Sequence, residues 1–163
     1  TIEGLQSDGI TYKGVIYFGL MMTAAGVKVI EYNSRFGDPE AQAVLPLLKT
    51  DLVDIVEACI DGKLDKINIE WLDKTGFTVV VASGGYPENV VKGCPITVGR
   101  LNGVTLYHAG TAVKAGRLVT NGGRVFDVTA VAANIAEARE KVYREIDKIQ
   151  FEGARYRTDI GKV

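Results

Sequence analysis

The residue types that build metal and redox centres are scarce here, with one His and two Cys among 163 residues. Cys59 and Cys94 stand far apart with no metal-ligand spacing, which excludes a zinc site and a disulfide framework. A surplus of charge is missing as well. The 19 Lys and Arg against 20 Asp and Glu leave a formal net charge of -1. Binding to nucleic acid or to an anionic membrane needs clustered cations, and this balance supplies none. Trp71 and Tyr86 make no aromatic ladder for stacking bases. No apolar run approaches the ~20 residues that span a bilayer. The longest, Val15 to Ala25, shows no signal-peptide design. What is left is a chain 47% hydrophobic and 24% charged, long enough to bury a core as one domain or two small ones. The expected class is a soluble, cytoplasmic α/β protein.

Thr1–Asp8 reads as the last turns of a helix. Residues 10–33 read as a β-hairpin. Ile10, Tyr12, Val15, Tyr17 and Leu20 belong to its first arm, Ala24-Ala25-Gly26 to its turn, and Val27–Asn33 to its return strand. On that strand Val27, Val29, Glu31 and Asn33 share one face. Asp38-Pro39 reads as an N-cap followed by Pro in the first helical position, opening a helix over Glu40–Lys49. Thr50 or Asp51 caps a second helix over Leu52–Ile60, which Gly62 ends. Its apolar Leu52, Ile55, Val56 and Cys59 fall on one face.

The character changes near Lys66–Thr75, where a domain boundary is expected: residues 1–70 form one part and residues 71–163 the other. Phe77–Ala82 is an apolar strand stopped by Ser83-Gly84-Gly85-Tyr86-Pro87. Val104–His108, Ala112–Lys114 with Arg117–Thr120, and Arg124–Thr129 read as a meander. Asn121-Gly122-Gly123 supplies a turn of positive φ in it. Asn134 with Glu137 opens a last helix whose apolar face is Ile135, Ala138, Val142, Ile146 and Ile149. Its charged residues, Glu145 among them, read as a solvated face.

The densest chemistry lies in Glu31 to Gln42. Two residues apart on an extended segment, Glu31 and Asn33 point their oxygens the same way, about 7 Å apart along the strand. A hard divalent ion takes one or two carboxylates together with phosphate oxygens, so the pair suits Mg²⁺ bridging to ATP. Arg35 is placed to neutralise a transferring phosphoryl group. The same residues also have a plain structural reading, Glu40 as a first-turn acid and Asp38 as a cap.

The string Arg35-Phe36-Gly37-Asp38-Pro39-Glu40-Ala41-Gln42, preceded by Glu31-x-Asn33, resembles the signature of the glycinamide ribonucleotide synthetase (phosphoribosylamine–glycine ligase) family of the ATP-grasp superfamily. The resemblance runs on through Tyr12-Lys13-Gly14-Val15, Leu48-Lys49-Thr50-Asp51-Leu52, Ala82–Pro87, His108–Thr111, Thr120–Val125 and Tyr156-Arg157-x-Asp159-Ile160-Gly161, nearly the whole chain. It implies a mixed α+β layout, the rear of an ATP-grasp domain over residues 1–70 followed by a small sheet-plus-helix C-terminal domain over 71–163. It implies a purine-biosynthesis ligase in which ATP phosphorylates the carboxylate of glycine. The amine of 5-phosphoribosylamine then attacks the acyl phosphate, giving glycinamide ribonucleotide, ADP and phosphate. Carried over by position, Glu31 and Asn33 are the Mg²⁺ (or Mn²⁺) ligands, and Arg35 clamps a phosphate or carboxylate. Asp38 is a candidate partner for a substrate amine or hydroxyl.

Two departures go with it. The neighbouring strand, which often supplies another metal carboxylate in this superfamily, has Tyr17-Phe18 instead. The family enzyme is also longer, with a Gly-rich loop and an adenine-site Lys that do not precede Glu31 here. The chain is therefore expected to be a C-terminal portion that needs the N-terminal part of the same protein and is inactive alone. Another ATP-grasp carboxylate–amine ligase, or a non-catalytic module of that fold, remains open. Outside the signature, His108 is expected to be structural, and Arg124 is a weaker substrate-side candidate.

Overall fold

The computed structural model describes residues 1–162. Its elements in chain order are α1 (Ile2–Ser7), β1 (Tyr17–Thr23), β2 (Gly26–Asn33), α2 (Glu40–Val44), a 3-10 turn (Leu45–Leu47), α3 (Leu52–Asp61) and a second 3-10 turn (Leu64–Lys66). They continue with β3 (Thr75–Ala82), β4 (Thr97–Val98), β5 (Thr105–His108), β6 (Thr111–Lys114), β7 (Arg117–Thr120), β8 (Arg124–Ala132), α4 (Ile135–Ile146) and β9 (Ile149–Gln150). The layout is α+β. The chain forms two compact units, one from Thr1–Asp38 and Leu48–Trp71, the other from Pro39–Leu47 and Leu72 onward.

In the first unit β1 and β2 pair antiparallel around a two-residue turn, with Tyr17 opposite Asn33 and Gly19 opposite Glu31. Thr23 Oγ1 ties the turn, donating to the Gly26 carbonyl at 2.7 Å. The strand does not begin at Ile10, as the apolar run suggested, but at Tyr17. Leu20 pairs with Val29, so Ile30 is an extra residue and the register slips there. α3 is held by local chemistry at both ends. Asp51 Oδ1 accepts the Val53 N–H at 2.8 Å, and Gly62 takes the left-handed cap at φ 69°. Val56, expected on the covered face, is 43% exposed, and Ala58 is the residue of α3 that is buried.

In the second unit β8 is the centre of a three-stranded antiparallel sheet in the order β3-β8-β5. This corrects the expected meander. β8 is buried on both faces, which suits it to the middle, while β6 and β7 form a separate hairpin. Alternation assigns the faces. Phe77, Val79 and Val81 stand beside Ala130, Val128 and Phe126, under Ala138, Val142 and Ile146 of α4. Thr78 and Val80 stand beside Thr129 and Asp127 on the other face. α2 lies against that face so closely that a Cβ on Gly76 would come within 2.0 Å of the Ala43 carbonyl oxygen.

Three local expectations fail for identifiable reasons. The helix predicted over Glu40–Lys49 is α-helical only to Val44, because Pro46 has no N–H to donate and its ring crowds the preceding turn. Pro39, rather than Asp38, takes the cap position, without a side-chain cap bond. Glu145 is not solvated. It is 2% exposed, accepts the Asn102 N–H at 2.8 Å and pairs with Lys148 at 2.8 Å. Those contacts, Lys148 first, hold its carboxyl below the usual carboxylate range. The Asn134–Glu137 start of α4 is as expected, with Asn134 Oδ1 accepting the Glu137 N–H at 2.9 Å.

Candidate functional site

Strand alternation makes one pair. Glu31 and Asn33 lie on the same face of β2, and Asn33 Nδ2 donates to Glu31 Oε1 at 3.0 Å. The second amide atom, Asn33 Oδ1, and the second carboxylate atom, Glu31 Oε2, remain as oxygen donors. Opposite Glu31 the partner strand has Gly19, where a Cβ would lie 2.9 Å from Glu31 Cγ. The missing side chain makes room for the carboxylate. On the reverse face Phe18 and Tyr32 pack edge to face at 5.2 Å, stiffening the hairpin beside the pair. Tyr17 lies across from Asn33, so the partner strand presents no carboxylate at this level.

This donor set fits a hard cation of the Mg²⁺ type, which accepts carboxylate and carboxamide oxygen and keeps its other positions for phosphate and water. Among the described residues no cluster of three or more His, Cys, Asp or Glu side chains offers a fuller cage. The other two predicted residues stand close in sequence but are not drawn onto the pair. Arg35 Nη1 donates to the Phe36 carbonyl at 2.8 Å, and Asp38 is exposed at the end of the loop.

Gln42, the last residue of the signature string, has a specific contact that its type did not reveal. Its Nε2 donates to Asp127 Oδ2 at 3.2 Å, tying α2 to the centre of the sheet. Asp127 is 1% exposed. The signal for it was present in the sequence: a lone acid inside the apolar run of β8.

The glycine clusters of the second unit answer a different need from the one predicted. Gly122 and Gly123 are not positive-φ turn residues. Instead a Cβ on Gly122 would lie 2.9 Å from the Cα of Gly110, and one on Gly123 would lie 2.3 Å from the Tyr86 ring. They are close-approach glycines. Gly85 does take positive φ, at 76°. His108 Nδ1 lies 3.0 Å from Thr111 Oγ1, and its ring packs edge to face with Phe126.

The chain was compared with known proteins. The family described as "Phosphoribosylglycinamide synthetase, C domain" matches residues 76–163, and its "ATP-grasp (A) domain" matches residues 1–41. A phosphoribosylamine–glycine ligase of Caldanaerobacter subterraneus subsp. tengcongensis is 52% identical over 160 residues, 98% of this chain and 38% of that protein. The trifunctional purine biosynthetic protein adenosine-3 of Homo sapiens is 46% identical over 165 residues, covering 99% of this chain and 16% of its own length. The crystal structure of a phosphoribosylamine–glycine ligase from Thermotoga maritima superposes with a TM-score of 0.84 at 35% identity, over 97% of this chain and 39% of that one. A biotin carboxylase domain of Hydrogenobacter thermophilus shares the fold, with a TM-score of 0.61 at 14% identity over 95% of this chain and 35% of its own. The chain thus spans about two-fifths of the single-function ligases it matches. No helix among the described residues is long and apolar enough to cross a membrane.

Proposed function

Because the chain belongs to the phosphoribosylglycinamide synthetase family, we propose that it is part of an ATP-dependent ligase that joins glycine to 5-phosphoribosylamine, giving glycinamide ribonucleotide, ADP and phosphate. Residues 1–70 serve as the end of its ATP-grasp domain and residues 71–163 as its C-terminal domain, working with an N-terminal part of the same protein. The observation that carries this reading is the Glu31–Asn33 pair, an oxygen site on one strand face at the head of the Arg35–Gln42 string.

In the reaction a glycine carboxylate oxygen takes the γ-phosphoryl group and ADP leaves. The amine nitrogen of phosphoribosylamine then bonds to the acyl carbon, phosphate leaves and one proton is released. Mg²⁺, or Mn²⁺, supplies charge neutralisation along the ATP phosphates when bound. Glu31 and Asn33 would hold it. Arg35 gives up its exposed contact with the Phe36 carbonyl to bind a phosphate or carboxylate oxygen, an exchange that gains a charge-assisted bond. Asp38 accepts a hydrogen bond from a substrate amine or hydroxyl.

The test is ADP release by the full-length protein that contains this chain, with glycine and phosphoribosylamine supplied together and then singly. Release that needs both is expected; release that needs neither would overturn the reading. Glu31→Gln is expected to cut Mg²⁺-dependent turnover by about a thousandfold, since one metal carboxylate is lost where charge develops. Retained turnover would remove Glu31 from the metal shell. The 163-residue chain alone is expected to release no ADP, because phosphoryl transfer depends on positioning that this portion only partly supplies.

A further inference from the structure

Gly19 lies within β1, where a glycine has no side chain to pack and weakens a strand. Two ordinary reasons for one are missing here. Its φ is not positive, so backbone conformation does not select it. The extra residue of the neighbouring slip is Ile30 on β2, so the bulge needs no special backbone at Gly19 either.

What the position meets is one side chain. A Cβ there would lie 2.9 Å from Glu31 Cγ, while the nearest backbone atoms, the Glu31 nitrogen and oxygen, stay at an ordinary 3.6 Å. The strain of any larger residue would therefore fall on the Glu31 stem and not on the hairpin. The register brings this about. Gly19 pairs with Glu31 and Tyr17 with Asn33, so the slip at Ile30 turns Glu31 and Asn33 onto the face of Tyr17 and Gly19, and Val29 goes with Leu20 to the other. On that face the Glu31 carboxylate meets Asn33 Nδ2, which donates to Oε1 at 3.0 Å.

We propose that Gly19 is a positioning residue for the divalent cation. By leaving the Glu31 stem its place across β1 it sets where the carboxylate stands against Asn33, and so makes the pair selective for Mg²⁺ over Ca²⁺. The inference rests on the reading of Glu31 and Asn33 as metal ligands and adds what fixes their spacing. A methyl group at position 19 has to push Glu31 Cγ from 2.9 Å toward the ~3.5 Å of ordinary carbon contact, a displacement of about 0.6 Å. Mg²⁺ holds its oxygens at roughly 2.0–2.1 Å in near-ideal octahedral geometry, whereas Ca²⁺ accepts roughly 2.3–2.6 Å and irregular shells. The displacement is harder on the smaller and stricter ion.

The test is isothermal titration of the full-length protein with the β,γ-imido analogue of ATP, in Mg²⁺, in Ca²⁺ and in EDTA. It reads the metal through the tightening it gives the nucleotide and involves no turnover. Gly19→Ala is expected to weaken binding about 10- to 100-fold in Mg²⁺, the usual loss when the surroundings of a metal ligand are disturbed, to stay within about threefold in Ca²⁺ and to change nothing in EDTA. In a Glu31→Ala background the same substitution should have no effect, because the stem it displaces is gone. Unchanged binding in Mg²⁺ overturns the inference. Equal weakening in Mg²⁺ and EDTA, which gives the space to the nucleotide itself, and equal weakening in Mg²⁺ and Ca²⁺, which removes the selectivity, overturn it as well. So does a thermal midpoint lowered alike in Gly19→Ala and Gly19→Ala/Glu31→Ala, which puts the glycine in the service of the backbone. An analogue that binds the unsubstituted protein no better in Mg²⁺ than in EDTA removes the metal site and this inference with it. The ligase reading fails separately, by ADP release that needs neither substrate, and the titrations hold whether or not it does.

Discussion

In the second unit Val125, Phe126 and Val128 are fully enclosed, whereas in the first Met22 is 78% exposed and Ile30 62%. Both stretches are strands rich in apolar residues. The difference lies in what covers them. β8 has strands on both sides, α4 over one face and α2 against the other, and its burial is the product of contacts made across the sequence. β2 has one neighbour, β1, and a two-stranded ribbon cannot enclose its own side chains. The first unit is therefore specified by local devices: the Thr23 turn, the Asp51 cap and the left-handed Gly62. The second is specified by a core. The oxygen pair stands on the locally specified strand.

The largest effect should come from testing that contrast at a single side chain in each unit. Phe126→Ala empties a fully enclosed ring site and is expected to cost about 3–5 kcal/mol. Leu20→Ala removes a side chain that is 53% exposed and should stay within about 0.5 kcal/mol. Urea unfolding of the 163-residue chain, followed by far-ultraviolet circular dichroism, reads both. Similar losses at the two sites would erase the distinction drawn between the units.

Glycine substitutions sharpen the same contrast at a smaller scale. Gly76→Ala drives a methyl group into the Ala43 carbonyl, and backbone on both sides must shift. About 1–3 kcal/mol is expected, with loosening of α2 visible as faster amide exchange at Gln42 and Ala43. Gly62→Ala meets no atom within 4 Å and strains only its own positive φ. That should cost about 1 kcal/mol, confined to the end of α3. If Gly62→Ala were the more damaging, the first unit would depend on tertiary contacts that its exposure does not show.

The same division between local and distant causes explains what could be read beforehand. The Asp51 cap, the Gly62 stop and the Asn134–Glu137 start lie within a few residues of what they satisfy, and so they are written in the sequence. The shared face of Glu31 and Asn33 followed from a period of two over three residues, a span too short for the slip at Ile30 to disturb. The central place of β8 depends on partners 18 to 57 residues away and could not be read from its own pattern. Burial of Glu145 depends on Asn102, 43 residues off, so its charge suggested solvent. Gly122 and Gly123 are a different kind of miss. Positive φ and close approach both select glycine, and only coordinates separate them.

Two carboxylates give the finest version of the comparison. Glu145 in the second unit and Glu70 in the first are both held below the usual range, each chiefly by a lysine hydrogen bond, from Lys148 at 2.8 Å and Lys49 at 2.6 Å respectively. A carboxyl whose folded pKa is depressed adds stability that is complete above its unfolded value, near 4.5 here, and that fades as pH falls through the folded value. Both therefore lower the unfolding midpoint on acidification. Salt separates them. The Lys49–Glu70 pair is about half exposed on each side, so ions at about 0.5 M screen it. Glu145 is enclosed and also holds the Asn102 N–H, which salt does not replace. Glu145→Gln is accordingly expected to flatten the acid limb of the thermal midpoint at low and high salt alike. Glu70→Gln should do so only at low salt. An acid limb that vanished in salt for the unsubstituted chain would mean that Glu145 is no better sheltered than Glu70, and the contrast between the units would stop at their apolar side chains.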